Sequence, residues 1–586
     1  MTNPVPPFII FILGAMLVPI LRGRLRQIFL LLLPVIGLID IINLPAGTSW
    51  VYDFLGYELI FARVDKLSLV VGYIFVIIGF LGIIYSLHVE EAGQHVAALM
   101  YVGSSLGVVF AGDYFTLFIF WEIMAAASVF LVWYRKEKEA LDAGFRYVLM
   151  HLFGGALLLA GIIMHTAWTG SIAIRTPLHE LPFWLIMFGF GLNTAFIPLH
   201  TWLPDAYPQG TITGSVFMCV YTTKTGVYVL ARCFPNIDFV AYMGGAMAVY
   251  GVVFALAQND ARRLLSYHIM SQVGYMVAGV GVGGALGVDG GIAHVVNHIL
   301  YKGLLFMCMG SVIYMTGKRK LTEMGGLARY MPVTCIACII ASLSISGGPG
   351  FNGFVSKGMV IASASADHKP ILELMLTLAS VGTFLSFVKL CYFAFFAKNE
   401  EITAKEAPLN MQVAMVATAF LCVFLGVYPQ PLLELLPYPV PVDYHTFTPG
   451  HILATIQIFL LSGLVFMVAR NYFAPHKGIV LDVDLFYRMG GRIILWFCEK
   501  PLNALRSGVQ SFLTNEVEGT AVLSRNPYRA GRLIKSYFRG DPKDKYEAVR
   551  NEPYNVNSYR IPIGVSAGVA TIFLFLLTLI YFAVGG

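Results

Sequence analysis

Charge is scarce in this 586-residue sequence: Asp, Glu, Lys and Arg make up only 12% of it, against about 25% in ordinary soluble domains. A soluble chain of this length would split into several domains, each needing a charged coat. Thirty-three acids and 39 Lys and Arg cannot supply those coats, which excludes a soluble enzyme. Positive charge is thin as well. The formal net charge of +6 is spread over loops, so no basic patch for nucleic acid forms. Cysteine is sparse and poorly placed for metal or redox chemistry: the single C-x-x-C, Cys335 and Cys338, lies in the apolar stretch TCIACIIASL with no second pair, and reads as buried membrane thiols. No cysteine cluster suits an iron–sulfur centre, and no phosphate-binding glycine loop follows a strand pattern. The expectation is no cofactor, no metal and no catalysis by this chain alone. The first apolar run, 8–21, lacks a preceding positive charge and a small-residue cleavage site, so a cleaved signal peptide is not expected.

Apolar length is what the sequence has in excess, with 58% hydrophobic residues and a mean hydropathy of +0.74. A bilayer core takes about 20 apolar residues per helix. Runs of that kind fall near 8–21, 28–44, 67–86, 96–111, 114–133, 143–166, 182–200, 211–231, 240–257, 263–281, 291–316, 332–366, 371–397, 410–427, 451–470 and 562–583. The stretch 332–366 exceeds one simple span and contains Gly347-Gly348-Pro349-Gly350. It predicts a broken helix, which is tolerated at membrane depth where protein or a water cavity satisfies the freed backbone. Pro198, Pro204, Gly210 and Gly214 mark a second interruption near 198–214. Basic residues cluster after odd-numbered spans, at Arg22–Arg26, Arg135–Lys138, Arg262–Arg263 and Lys318–Lys320. The positive-inside rule then makes those loops cytoplasmic and puts the N-terminus outside a bacterial-type inner membrane.

The tail differs: residues 482–560 hold 13 Lys and Arg and 9 Asp and Glu. Leu502, Leu505, Val509 and Phe512 recur there at helical spacing, which predicts an interfacial amphipathic helix, while 540–560 reads as a partly disordered loop. The expected organisation is N-terminal transmembrane helices over 1–64, a transporting core over 65–430, an additional transmembrane helix within 431–480, an amphipathic and polar cytoplasmic segment over 481–560, and a C-terminal transmembrane helix over 561–586.

Ionisable side chains inside membrane helices are costly and need a partner, a water cavity or a snorkelling position. Glu122 lies mid-span in FTLFIFWEIMAAASVF and Lys224 mid-span in VYTTKTGVYVLAR. They form either a structural ion pair or a switch in which moving the acid decides whether the lysine keeps its proton. His294, His298 and Lys302 stand at i, i+4 and i+8, making a gently slanting stripe about 12 Å long on one helix flank. Histidine titrates near neutrality, which suits a proton relay; helix–helix hydrogen bonding and a zinc site, which would lack nearby acids or cysteines, are the alternatives. Lys357 follows the broken-helix glycines, and Lys389, nearer a helix end, is either a relay group or a snorkelling lysine. His151 is a weaker candidate. His200 and Asp205, at the interruption, fit a cap or hinge role equally well.

In their order along the chain, FIFWEIM, PLHTWLPDAYPQGTITGSVFMCVYTTKTGVY, AQNDARRLLSYHIMSQVGYM, HVVNHILYKGLLFMCMGSVIY and GGPGFNGFVSKGMV resemble the antiporter-like subunits of respiratory complex I. They are equally similar to the D subunit of multisubunit Mrp-type Na+/H+ antiporters and to membrane subunits of energy-converting hydrogenases. The resemblance spans roughly 65–430. It implies an all-α polytopic membrane protein with a 14-helix core of two inverted repeats and broken helices, followed here by about two extra C-terminal transmembrane helices. It also implies proton translocation, with Na+/H+ antiport as one form, inside a hetero-oligomeric membrane complex. Under it Glu122 and Lys224 match the first repeat's pair, His294, His298 and Lys302 the central connection, and Lys357 the second broken helix's lysine. Residues 239–257 depart from relatives by carrying no His, Lys or acid, which leaves Tyr250 or water to bridge there. A non-transporting scaffold is the competing reading.

Overall fold

The structure is a computed structural model that describes residues 5–399, 402–441, 444–476, 478, 480–559 and 562–584. Two compact units emerge, Met1–Val483 and Asp484–Gly586. The first opens with α1 (Pro7–Leu17) and α2 (Gly23–Asn43), then β1 (Gly47–Phe54) and β2 (Tyr57–Val64), an antiparallel hairpin in register from Gly47 opposite Val64 to Phe54 opposite Tyr57. The hydropathy reading of 1–64 as helices alone does not contain this hairpin; strands of this length are too short and too alternating to register as an apolar run. Next come α3 (Lys66–Ser86), α4 (Ala92–Phe110), α5 (Tyr114–Trp133), α6 (Lys138–Thr169), α7 (Glu180–Asn193), the short α8 (Trp202–Ala206), α9 (Ile212–Met218) and α10 (Thr222–Cys233). The chain continues through α11 (Asp238–Leu256), α12 (Ala261–Val282), α13 (Gly284–Thr316), α14 (Pro332–Ser346), α15 (Asn352–Ala366), α16 (Pro370–Cys391), α17 (Leu409–Val427), α18 (Gln430–Leu435), α19 (Pro449–Val468) and α20 (Arg470–Phe473).

Eleven helices among the described residues are long and apolar enough to cross a bilayer, with α1 and α14 as shorter apolar helices. Others fail that criterion because they are interrupted, as at α9 and α10, or carry polar groups mid-helix, as α12 does. The fold is the expected all-α polytopic membrane architecture. Its starts are set by side chains that accept from orphan backbone donors: Asp65 on Ser68 N before α3, Asp113 on Thr116 N before α5, Asp260 on Arg263 N before α12. The 33-residue α13 is the core's central element, its residues Gly287–Val312 buried without a gap. α11 and α12 pack backbone to backbone: a Cβ built on Gly251 would stand 2.6 Å from Ser271 N, and one on Gly281 2.1 Å from Ala241 N. Small residues permit that approach where no hydrophobic effect drives helices together.

The second unit holds α21 (Asp484–Phe497), α22 (Asn503–Arg525), α23 (Arg529–Arg539), α24 (Lys543–Arg550) and α25 (Ile563–Val584). A five-residue π-helical turn, Cys498–Leu502, joins α21 to α22. Leu502, Leu505, Val509 and Phe512 are all exposed. The polar stretch expected as a loop at 540–560 contains α24 and a 3-10 turn at Val556–Tyr559.

Candidate functional site

Two helices are broken beside a buried lysine. The Gly347–Gly350 break separates α14 from α15, as its glycines predict: Gly347 takes φ 83°, open to glycine, and caps α14. Lys357 follows on α15, 4% exposed. Its Nζ has no hydrogen-bond partner among the described residues and lies 4.8 Å from the centre of the Tyr275 ring. The other break differs from its expected place. The chain does turn irregularly between α7 and α8, but Lys224 belongs to a separate interruption at Cys219–Tyr221, between α9 and α10, which no glycine or proline announces. Breaking the helix frees carbonyls, and Lys224 Nζ uses one, donating to Cys219 O at 2.6 Å and to Thr223 Oγ1 at 2.9 Å.

Between these lysines runs α13. His294 Nδ1 is 2.9 Å from Ser356 Oγ on α15, and its Nε2 is 3.3 Å from Gln272 Oε1 on α12 and 3.2 Å from Tyr301 OH. Tyr301 OH also donates to Gln272 Oε1 at 3.3 Å. His298 lies 6.4 Å from His294 and 5.3 Å from Tyr301, ring centre to ring centre. Both its nitrogens and Lys302 Nζ lack hydrogen-bond partners among the described residues; Lys302 Nζ sits 5.5 Å from the Phe387 ring centre. His298 is within electrostatic reach of Lys224, Lys302, His294 and Lys357. The structure therefore gathers Lys224, His294, His298, Lys302 and Lys357 into one buried cluster. Lys389 is apart from it, buried rather than snorkelling, and donates to Leu256 O at 2.6 Å and Gln258 O at 3.0 Å, the orphan carbonyls where α11 ends.

Glu122 is not joined to Lys224. Its carboxylate packs against α6, where a Cβ on Gly155 would meet Oε1 at 2.1 Å, and Oε1 has no hydrogen-bond partner. The expected ion pair is absent because Lys224 is held by its own helix break and Glu122 faces the α6 side. One turn along α6, His151 packs against Tyr147 (ring centres 4.2 Å) and Trp202 (4.7 Å), with Asn193, the last residue of α7, beside it. Tyr147 OH is 2.8 Å from Ser128 Oγ, and Tyr101 OH is 2.5 Å from Thr222 Oγ1 at the start of α10. Asp205 is bound by Arg146 at 2.6 and 3.0 Å, an ion pair between α6 and α8 that suits a hinge or cap. His200 Nε2 is 3.3 Å from Asp482 Oδ1, and Tyr250 OH donates to that carboxylate.

Three members of the arrangement lie outside the sequence reading. His268 on α12 is fully buried, has neither nitrogen bonded, and is within reach of Lys302 and Lys357. His268 and Gln272, at i and i+4 in SYHIMSQ, were the available signal. Asn193 and Asp482 carried none.

A cavity of about 620 Å³ reaches Lys357. Its walls include Glu373, Thr377 and Ser380 of α16, His451 and Thr455 of α19, and Thr448, which caps α19. The α16 residues stand at i, i+4 and i+7 and so share a face; Ser380 Oγ lies 2.7 Å from Tyr275 OH, whose ring is beneath Lys357. Among the described residues no group of three or more His, Cys, Asp or Glu is gathered as a metal ion would need.

Residues 111–386 match the family model described as "NADH:quinone oxidoreductase/Mrp antiporter, TM". The uncharacterized protein MJ1309 of Methanocaldococcus jannaschii is 32% identical over 57% of this chain and 74% of its own length. The A subunit of the Na(+)/H(+) antiporter of Bacillus subtilis is 29% identical over 66% of this chain; the match covers 55% of that longer protein. In three dimensions, a chain of the membrane-bound sulfane sulfur reductase, an archaeal respiratory membrane complex, aligns over 98% of this chain and 99% of its own with TM-score 0.70 and 24% identity.

Proposed function

Because the chain belongs to the NADH:quinone oxidoreductase/Mrp antiporter transmembrane family, we propose that it is a proton-translocating subunit of a hetero-oligomeric membrane complex. Protons pass laterally between Lys224 and Lys357 through His298, Lys302, His294 and His268, with Lys389 as a further group at the α11 end and Glu122 as the switch. One observation carries this reading: four buried titratable groups, His268, His298, Lys302 and Lys357, have no hydrogen-bond partner among the described residues. An unpaired buried charge costs several kcal/mol, and the ring contacts of Lys302 with Phe387 and of Lys357 with Tyr275, at about 0.5–2 kcal/mol each, offset only part of it. A proton carrier needs groups of this kind, free to gain and lose a proton and to be bridged by water.

Glu122 and Lys224, separate in this structure, represent the open position of the switch. Closing the pair at low effective dielectric is worth several kcal/mol, enough to move a proton between them. The core is 65–430, with the N-terminus outside and the odd-numbered loops in the cytoplasm of a cell membrane. Sodium is the counter-ion if the complex is an antiporter; if it is a redox-driven pump, iron–sulfur or flavin chemistry belongs to partner subunits. Co-purifying subunits distinguish the two.

The scaffold reading fares worse. Polar contacts between membrane helices contribute about 0.6–2 kcal/mol each, and groups without partners contribute none. The test is proton flux in proteoliposomes holding the assembled complex, with Lys224→Ala and Lys357→Ala. Flux abolished in an intact complex is the expected result; retained flux in either variant removes that lysine from the path.

A further inference from the structure

The span 239–257 carries no acid of its own, yet one reaches it from far along the chain. Asp482, in the irregular stretch after α20, is 8% exposed. It accepts a hydrogen bond from Tyr250 OH of α11 on Oδ1 and from Tyr267 OH of α12 on Oδ2, the second at 2.5 Å. His200, on the turn between α7 and α8, is fully buried, and its Nε2 stands 3.3 Å from Asp482 Oδ1. The His200 and Tyr250 rings are 4.9 Å apart. Of the other charged groups, Arg263, in the first turn of α12, acts on Tyr267, and the Arg146–Asp205 pair lies just beyond on α6 and α8.

We propose that Asp482 is the positioning residue of a proton-uptake site in which His200 accepts the proton, feeding the Glu122–His151 end of the buried axis. The proposal rests on the proton-path reading above and adds a place where the path begins. Three features point past a simple latch. The carboxylate faces an imidazole, the one side chain suited to taking and releasing a proton near neutrality. Nε2 of His200 stands 3.3 Å from the carboxylate and neither ring nitrogen makes a hydrogen bond among the described residues, so the imidazole beside the carboxylate is not locked and one nitrogen faces away from it to pass a proton on. The turn that carries His200 begins at Asn193, which lies beside His151, so this short segment links the two sites.

Asp482 keeps its charge throughout. Burial opposes the charge, but the adjacent His200 imidazole and the hydrogen bonds from the two tyrosine hydroxyls override it and hold the carboxyl well below the usual carboxylate range. A carboxylate fixed in that way orients the imidazole and balances its positive charge, then leaves the proton on nitrogen rather than trapping it on oxygen.

The experiment compares Asp482→Asn, Asp482→Glu and Lys357→Ala in proteoliposomes of the assembled complex, reading proton flux against external pH along with assembly and melting temperature. The expected result is flux reduced about tenfold or more in Asp482→Asn, with an altered pH profile and an assembled complex, and substantial recovery in Asp482→Glu. Parent-level flux per assembled complex in Asp482→Asn, whether or not its melting temperature falls, overturns the proposal. Loss in Lys357→Ala with normal flux in Asp482→Asn sinks the uptake site alone; normal flux in Lys357→Ala sinks the proton path on which it rests.

Discussion

Replacing Lys302 by Met separates the transport account from a purely structural one, because the two predict opposite changes in stability. Lys302 is completely buried, its Nζ has no hydrogen-bond partner among the described residues, and it sits 5.5 Å from the centre of the Phe387 ring. A cation–π contact of that kind contributes about 0.5–2 kcal/mol. Against it stands the desolvation of an ammonium group, several kcal/mol even after relaxation. Met has nearly the same length and flexibility and no polar atom to bury. The net change is neutral to stabilising, about 0–3 kcal/mol by analogy with hydrophobic replacement of buried ions, while proton flux falls to background. Thermal melting of the solubilised complex and flux in proteoliposomes are read on one preparation. A clear drop in melting temperature with flux preserved would refute the reasoning, since it would mean that Lys302 holds helices together and carries nothing.

Other outcomes follow from particular contacts. Asp65, at the N-cap of α3, receives Arg232 on both oxygens at 2.6 and 2.7 Å. Burial opposes its charge, but Arg232 overrides this and holds its carboxyl below the usual range, so its stabilisation is present above the unfolded value of about 3.9 and is lost as pH falls through the folded one. Asp65→Asn should therefore cost about 1–3 kcal/mol at pH 7, and the gap in melting temperature from the parent should narrow below about pH 4; a gap independent of pH would contradict the assignment. Gly251→Leu forces a side chain where a Cβ already stands 2.6 Å from Ser271 N, and should destabilise by about 1–3 kcal/mol or more; a normal melting temperature would show that α11 and α12 are not in backbone contact. Ser380→Val removes the hydroxyl that meets Tyr275 OH at 2.7 Å on the cavity side of Lys357, and should slow flux without altering assembly. Unchanged flux would take the α16 face out of the water path.

Much of this was readable in advance, for reasons that can be traced. Hydropathy places a helix at every one of the sixteen apolar runs because lipid leaves a backbone no other choice. The α14–α15 break was visible because the Gly-Gly-Pro-Gly run pairs a glycine free to take positive φ with a proline that cannot donate to the helix ladder. The α9–α10 break was not, since Cys219, Val220 and Tyr221 are ordinary helix residues and the discontinuity is imposed by tertiary packing. The stripe of His294, His298 and Lys302 follows from helical spacing alone. Its partners Gln272 and Ser356 come from other helices, and spacing says nothing about them. Glu122 and Lys224 look like a pair in one dimension because each is the obvious opposite charge; only the placement of α6 beside Glu122 separates them. Asp482 stands 232 residues from Tyr250 in an unremarkable acidic stretch, so its burial among two tyrosines and a histidine left no trace in local pattern.

The central claim is that protons cross the middle of the molecule on α13. The most direct measurement is proton flux through the assembled complex carrying His298→Ala, with Lys224 and Lys357 intact. The account predicts that the complex assembles and melts normally while flux drops to background, because His298 lies in the buried α13 stripe, in electrostatic range of both lysines. Flux at the parent rate in that variant would contradict it.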